Sequence, residues 1–258
     1  MEAMLHPVLF VGAGPGDPEL ITVKGARLLA EADVVVHAGS LVHPDVLTHC
    51  RADVALHDSA PLALGQFVDL MIEGHRAGKK VVRLHSGDSS IYGATAEQTK
   101  LLDAAGVPWS IVAGVSSFQG AAAALGVELT LPGVSQSVIL TRTEGRSTPM
   151  PSGEKLEELG KTGATLCLFL SATLGQKTQD ALVPHYGADC PVAIVVRATW
   201  PDQVIVRCQL GELEASIKAN KITKTAMIII GRVLLKEGEA SKLYDKAFTH
   251  GYRRGVKD

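Results

Sequence analysis

Val81–Gly93 reads VVRLHSGDSSIYG. An apolar run, Val81 and Val82, passes through Arg83 and Leu84. It then breaks into small and polar residues from His85 to Ser90, and a helical pattern resumes near Ala94. The spacing predicts a buried strand, a tight loop at its carboxyl end and a helix start. In open α/β sheets, ligands sit outside the carboxyl ends of the strands. Gly87 lets backbone approach a ligand closely. Asp88 can accept hydrogen bonds or cap the next helix. On spacing alone, the stretch fits a plain strand-to-helix turn equally well.

The same strand–loop–helix unit recurs on both sides. Val8–Val11 is a short apolar strand running into Gly12-Ala13-Gly14-Pro15-Gly16-Asp17-Pro18. The dinucleotide pattern GxGxxG would need glycine where Asp17 stands. Pro15 and Pro18 lack the N–H a helix start would use, so the helix is expected from about Thr22 to Ala32. The second strand, Val34–Val36, ends at His37 and carries no acidic residue, which argues against a nicotinamide oxidoreductase. Leu64, Phe67, Val68, Met71 and Ile72 fall at helical spacing, and Gly78 ends that helix. A helix over about 94–105, a strand Trp109–Val112, a loop Ala113–Ser117 and a small-residue helix 118–125 complete the half. Repeated β-α order predicts a parallel sheet.

Near Gly126–Ser135 the pattern resets, with Pro132 and Gly133 in a linker-like stretch. Strands are expected at Val138–Thr141, Thr165–Leu170, Val192–Val196, Val204–Cys208 and Ala226–Ile230, the third and fourth forming a hairpin about Trp200–Gln203. Helices are expected over about 174–182 and 210–219, and Arg142–Pro151 reads as an exposed loop. The expected division is an N-terminal α/β domain over 1–115 with glycine-rich loops, a C-terminal α/β domain over 116–236 including the linker, and a surface or partly disordered tail over 237–258.

Composition narrows the function classes. The 258 residues are 46% hydrophobic and 4% aromatic, with a formal charge of −2. No basic excess favours nucleic acid as a partner. No apolar run reaches the ~20 residues of a membrane span, and the N-terminal stretch lacks the basic start and apolar core of a signal peptide. Cys50, Cys167, Cys190 and Cys208 are scattered without a CxxC pair. Core thiols are therefore expected in a reducing, cytoplasmic setting. The nine histidines form no HExxH pattern, so no metal site is expected.

Four stretches together carry a resemblance: GAGPGDPELITVKG at 12–25, VRLHSGDSSIYG at 82–93, AGVSSFQGAAAALG at 113–126 and ATWPDQ at 198–203. They resemble the tetrapyrrole methylases, S-adenosylmethionine-dependent enzymes of sirohaem and cobalamin synthesis. The resemblance implies two α/β domains with the cofactor cleft between them (class III methyltransferase-like), and a homodimer. Carried over position by position, it implies cofactor contacts at Pro15, at Ser86, Gly87 and Asp88, at Ile91, at Ser116 and Ser117, at Leu170 and at Ala198. Ser86 and Ser89 stand where the family's GGDP has glycine and proline, and Ala113 stands where its next loop has proline. TRTEGR at 141–146, AGSLVHP at 38–44 and ATWPDQVIVR at 198–207 most resemble the branch that methylates C-11 of precorrin-4. Other ring positions (C-20, C-17, or uroporphyrinogen III) and the cobalt-loaded macrocycle are the alternatives within the family. A non-catalytic adenosylmethionine-binding regulator is the alternative outside it.

The implied reaction is an in-line displacement on a sulfonium methyl, with S-adenosylhomocysteine leaving. No triad, metal or covalent intermediate is expected. The tetrapyrrole carries several carboxylates, which arginine pairs best, so Arg142, Arg146 and Arg197 are the candidate substrate contacts. For a general base the sequence offers only Glu144, Tyr92 and His37, each of which also has an ordinary structural reading.

Overall fold

The computed structural model describes residues 6–145 and 149–256. The chain forms two compact units, one of Met1–Ala124 with Arg197–Val204, the other of Leu125–Val196 with Ile205–Asp258.

In the first unit β1 (Val8–Gly12), β2 (Val34–His37), β3 (Ala55–Asp58), β4 (Val81–His85) and β5 (Trp109–Val112) form a sheet in the order β3-β2-β4-β1-β5. Every pairing in it is parallel, as the β-α repeat predicts. Helix α1 (Val23–Glu31) follows β1, α2 (Leu64–Arg76) precedes β4, α3 (Thr95–Ala104) joins β4 to β5, and α4 (Ser117–Leu125) follows β5. Thr22 caps α1 by accepting from Gly25 N at 3.0 Å. Asp17 caps a single 3-10 turn, Pro18–Leu20, which delays the helix past both prolines.

Side chains alternate across a strand, so both faces of this sheet need cover. Val11, Val35, Val82 and Leu84 pack with Leu29 of α1 on one face. Val8, Phe10, Val34, Val36 and Val81 pack with Val68 and Met71 of α2 and Leu102 of α3 on the other. From β1 the chain crosses β4 to reach β2. From β4 it crosses β1 to reach β5. Connections leaving two neighbouring strands in opposite directions make a topological switch point at their carboxyl ends.

The second unit holds β6 (Val138–Arg142), β7 (Thr165–Phe169), β8 (Pro191–Val196), β9 (Val204–Gln209) and β10 (Ala226–Ile230) in the order β6-β7-β10-β8-β9. Here β6 and β7 are parallel, while β10 runs antiparallel to both β7 and β8. Its core is Leu166, Leu168, Leu182, Ile194, Leu213 and Ile228. Helix α5 (Leu156–Gly160) is too short to show a period and is not apparent in the sequence. Helix α6 (Gly175–Tyr186) runs past the expected end at Leu182 with Pro184 in its last turn. Buried Tyr186 holds that turn, donating from its hydroxyl to Ala164 O at 2.5 Å. Helix α7 (Leu213–Ala219) precedes β10. The described side chains of residues 236–249 are exposed.

Arg83 and His85 alternate with Val81 and so face α2 and α3, inside the unit. Burial is the main cause that pushes the His85 imidazole down to about 3; the Arg83 cation adds to it and Asp88 opposes it. His85 is therefore neutral in the folded chain over most of the acid range, and takes a proton near its ordinary 6.5 once unfolded. Stability is complete above that pH and is lost as pH falls from 6.5 towards 3, by about 1.4 kcal/mol per pH unit. Comparing urea unfolding at about pH 7.5 and about pH 5, His85→Asn should lose roughly 2 kcal/mol less than the unsubstituted chain. Equal losses in both would show that His85 does not set this slope.

Candidate active site

Three loops meet where β1, β4 and β5 end. Gly14 and Gly87 exchange backbone hydrogen bonds (Gly14 N to Gly87 O 3.2 Å, Gly87 N to Gly14 O 2.8 Å), and Ala13 N donates to His85 O at 2.7 Å. A Cβ on Gly12 would stand 2.6 Å from both Gly114 Cα and Gly87 O. No side chain fits there, so the loops pack main chain against main chain. Gly14 and Gly87 both adopt positive φ, at 79° and 65°.

Asp88 locks the arrangement. Its Oδ2 accepts from Gly114 N at 2.6 Å, and its Oδ1 accepts from Ser90 N at 2.8 Å and from the Ser90 hydroxyl. Burial alone would raise this carboxyl, but those hydrogen bonds outweigh it and hold the pKa below the usual value. Asp88 thus ties the loop after β4 to the loop after β5 and does not cap α3, whose N-cap is Ala94. Ser116 is buried, its N–H donating to Gln119 Oε1 at 2.9 Å; Ser117 opens α4. Pro15 is buried, while Ser86 and Ile91 are half-buried in the loops after β4.

The turn Arg197–Gln203 belongs to the same unit and seats on the first loop. Trp200 Nε1 donates to Pro15 O at 3.0 Å, and Asp17 N donates to Thr199 Oγ1 at 3.0 Å. The indole occupies the place of a side chain at Gly16, and Pro15 and Thr199 crowd Gly120. His43 meets Trp200 edge-on at 4.6 Å between ring centres. Arg197 pairs with Asp202 and lies over the Trp200 ring at 5.2 Å. Ala198 is buried between these contacts. The sequence reading takes Trp200 for a turn residue and gives Thr199 and His43 no site role. The glycine at position 16 is a local sign of close packing, but it does not name the indole as its partner.

The remaining candidates fall in both units. His37 ends β2, its Nδ1 buried without a hydrogen-bond partner. Burial is the main cause that lowers its pKa, with Asp58 opposing. Tyr92 is 46% exposed with φ 53°. In the second unit Leu170 follows β7, 69% exposed with φ 52°. Arg142 ends β6 and donates to Pro149 O at 3.4 Å. Arg146 lies outside the described residues. The loop after β6 is less exposed than its composition suggests. Thr143 is buried, its hydroxyl 2.6 Å from that of Thr178. Glu144 accepts from Met150 N at 3.0 Å and from Lys177 Nζ at 2.9 Å, which holds its carboxyl down at about 2. These contacts make Glu144 an anchor of this loop. Among the described residues, no group of three His, Cys, Asp or Glu could hold a metal ion.

The seat of Trp200 on Gly16 can be read optically, because the chain has two tryptophans. In a Trp109→Phe background, Gly16→Ala should displace the indole and shift its emission to the red. Unchanged emission would mean that the turn does not rest on Gly16.

A family profile described as Tetrapyrrole (Corrin/Porphyrin) Methylases matches residues 7–214. The cobalt-precorrin-4 C(11)-methyltransferase of Methanocaldococcus jannaschii is 48% identical over 252 residues, 97% of each chain. The precorrin-4 C(11)-methyltransferase of Pseudomonas aeruginosa is 48% identical over 249 residues, 96% of this chain and 99% of that one. Among solved structures, the cobalt precorrin-4 methyltransferase CbiF matches with a TM-score of 0.85 at 46% identity, covering 88% of this chain and 95% of its own. The uroporphyrin-III C-methyl transferase of Thermus thermophilus, complexed with S-adenyl homocysteine, matches at 0.74 and 28%, covering 91% and 96%. Profile, relatives and fold agree over nearly the whole chain, and the chain belongs to the tetrapyrrole methylases.

Proposed function

We propose that this chain is an S-adenosylmethionine-dependent C-methyltransferase that methylates C-11 of precorrin-4, giving precorrin-5 on the route to cobalamin. The observation that carries this reading is the 48% identity, over almost the full length, to relatives named for that position. Methylation of the cobalt-loaded macrocycle is the second reading, favoured by the name of the M. jannaschii relative and of the CbiF structure. Homodimeric assembly and a cytoplasmic location belong to the same reading, through the family resemblance.

The loops fit an adenosylmethionine ligand. A Cβ on Gly87 would lie 3.5 Å from Ser117 N and 3.6 Å from Ser116 Cα, so the bare glycine leaves open a space that a side chain would fill. Pro15, Ser86, Gly87, Asp88, Ile91, Ser116, Ser117, Leu170 and Ala198 are the residues we assign to hold it. The bound sulfonium supplies an already activated methyl group. A ring carbon would take that methyl in line, with the carbon–sulfur electron pair leaving on the sulfur of S-adenosylhomocysteine. The protein therefore contributes chiefly orientation, which can supply roughly 7–11 kcal/mol. Asp88 contributes by fixing two loops at once, and Glu144 by fixing the loop that starts at Arg142. Arg142 and Arg146 are assigned to the substrate carboxylates. Arg197, already paired with Asp202, is the weaker of the three cations for that role. The transfer releases a proton overall, and no side chain is assigned to accept it.

The test is turnover. Purified protein with precorrin-4 and methyl-labelled adenosylmethionine should give product labelled at C-11, located by NMR. Label at another ring carbon would move the activity within the family. Turnover of the cobalt-loaded macrocycle alone would select the second reading. Cofactor binding with turnover of neither would make the chain a regulator. For the cofactor site, Gly87→Val should weaken adenosylmethionine binding by roughly 100-fold in a calorimetric titration. Left-handed valine costs about 1–2 kcal/mol, which leaves the fold intact. Undiminished affinity in the folded variant would remove Gly87 from the site.

A further inference from the structure

The cofactor assignment takes only Ile91 from the loop Ser89–Ala94, whose other residues are held by a separate set of contacts. Tyr92 and Ala94 both sit in the left-handed region, φ 53° and 48°, on either side of Gly93. Such conformations persist only where the surroundings over-determine them. Thr95 Oγ1 donates to Ser89 O at 2.6 Å, and a Cβ on Gly93 would come 2.6 Å from that same oxygen. The Gln98 amide donates to Gly93 O and to Ala94 O, each at 3.1 Å. Behind it, buried Arg83 donates from Nε to Gln98 Oε1 at 3.0 Å. A guanidinium only donates, so it dictates which end of the amide faces it and turns the NH2 toward the loop. Arg83 is fixed in turn by neutral groups: Val36 O at 3.2 Å, Ser59 Oγ at 2.9 Å and the Phe67 ring at 4.7 Å. A buried cation whose hydrogen-bond partners are all neutral, with the Asp58 carboxylate acting on it only through space, is an expensive way to orient one amide. The visible product of the whole chain of contacts is a large aromatic side chain, 46% exposed, beside the switch point.

We propose that Tyr92 is a substrate-contacting residue that lays its ring against the flat conjugated face of the tetrapyrrole, and that Gln98, oriented by Arg83, is the positioning residue that holds it there. This rests on the tetrapyrrole reading above.

The test is a double-mutant cycle on precorrin-4 methylation. Tyr92→Ala should raise KM for the tetrapyrrole by about tenfold, with adenosylmethionine affinity unmoved. Tyr92→Phe, which keeps the ring, should restore the original KM. Gln98→Glu keeps an acceptor for Arg83 and removes both N–H donors to the loop, so it should raise KM while thermal stability holds. In a Tyr92→Ala background, Gln98→Glu should add nothing. An unchanged KM for Tyr92→Ala, or a full additional effect of Gln98→Glu in that background, would overturn the proposal. A separate readout covers failure of the function reading itself. If the unsubstituted chain methylates no tetrapyrrole, fluorescence titration with uroporphyrin III still decides: tighter binding by the unsubstituted chain than by Tyr92→Ala supports the stacking role, and equal binding ends it.

Discussion

The main chains of Gly12, Gly87 and Gly114 touch where three parallel strands end, and everything else in the first unit is arranged around that contact. A methyl group on Gly12 would collide with the backbone of both others. Parallel strands deliver their loops to one edge, but close approach of those loops needs residues without side chains. The Gly14–Gly87 bridge then joins two of the loops, and Asp88 joins the second to the third. A carboxylate accepting main-chain N–H groups is worth more than a neutral acceptor. One side chain therefore sets the spacing of the whole edge.

The two faces of β4 show how that edge is kept in place. Val82 and Leu84 face α1 and are plain core. Val81, Arg83 and His85 face α2 and α3, and only the first is apolar. A central strand with two buried cation-forming side chains is costly unless each finds partners or stays neutral. His85 stays neutral and stacks on Phe10 at 5.8 Å. Arg83 remains charged, because burial brings its pKa only to about 10, and it meets its donors' needs through Gln98, Ser59 and Val36. The polar face of β4 thus reaches from the core to the loop that carries Tyr92.

Much of this is legible in the sequence, for identifiable reasons. Short apolar runs separated by helical stripes place β1, β2, β4 and β5 in a parallel sheet, because periodicity and β-α alternation are local signals, while the mixed ALHD of β3 carries no such signal. The glycine-rich loops are visible as motifs, and the parallel order puts them at the carboxyl ends of the strands. Contacts between residues distant in the chain are invisible at that level. Nothing near Asp88 says that its partner is Gly114, and nothing near Gly16 says that Trp200 fills its place. Helix α5 is missed because five residues cannot display a period. The end of α6 is missed because the bond from Tyr186 to Ala164 that holds its last turn spans 22 positions. The contacts of Glu144 with Lys177 and Met150 are likewise between residues apart in the chain.

The charged groups around these loops share one use, and it agrees with the chemistry. Asp17, Asp58, Asp88 and Glu144 each accept main-chain N–H groups that shape a loop. Arg197 is tied to Asp202, and Arg83 orients an amide. A displacement on a sulfonium needs no generated nucleophile and no acid for the leaving group, since the thioether departs neutral. Such a displacement depends on the alignment of a ring carbon, a methyl and a sulfur, and misplacement by ~1 Å can cost about 100-fold. In such an enzyme, ionised side chains are most valuable where they remove freedom from the backbone. That is why the candidate site announces itself in the sequence chiefly through glycines.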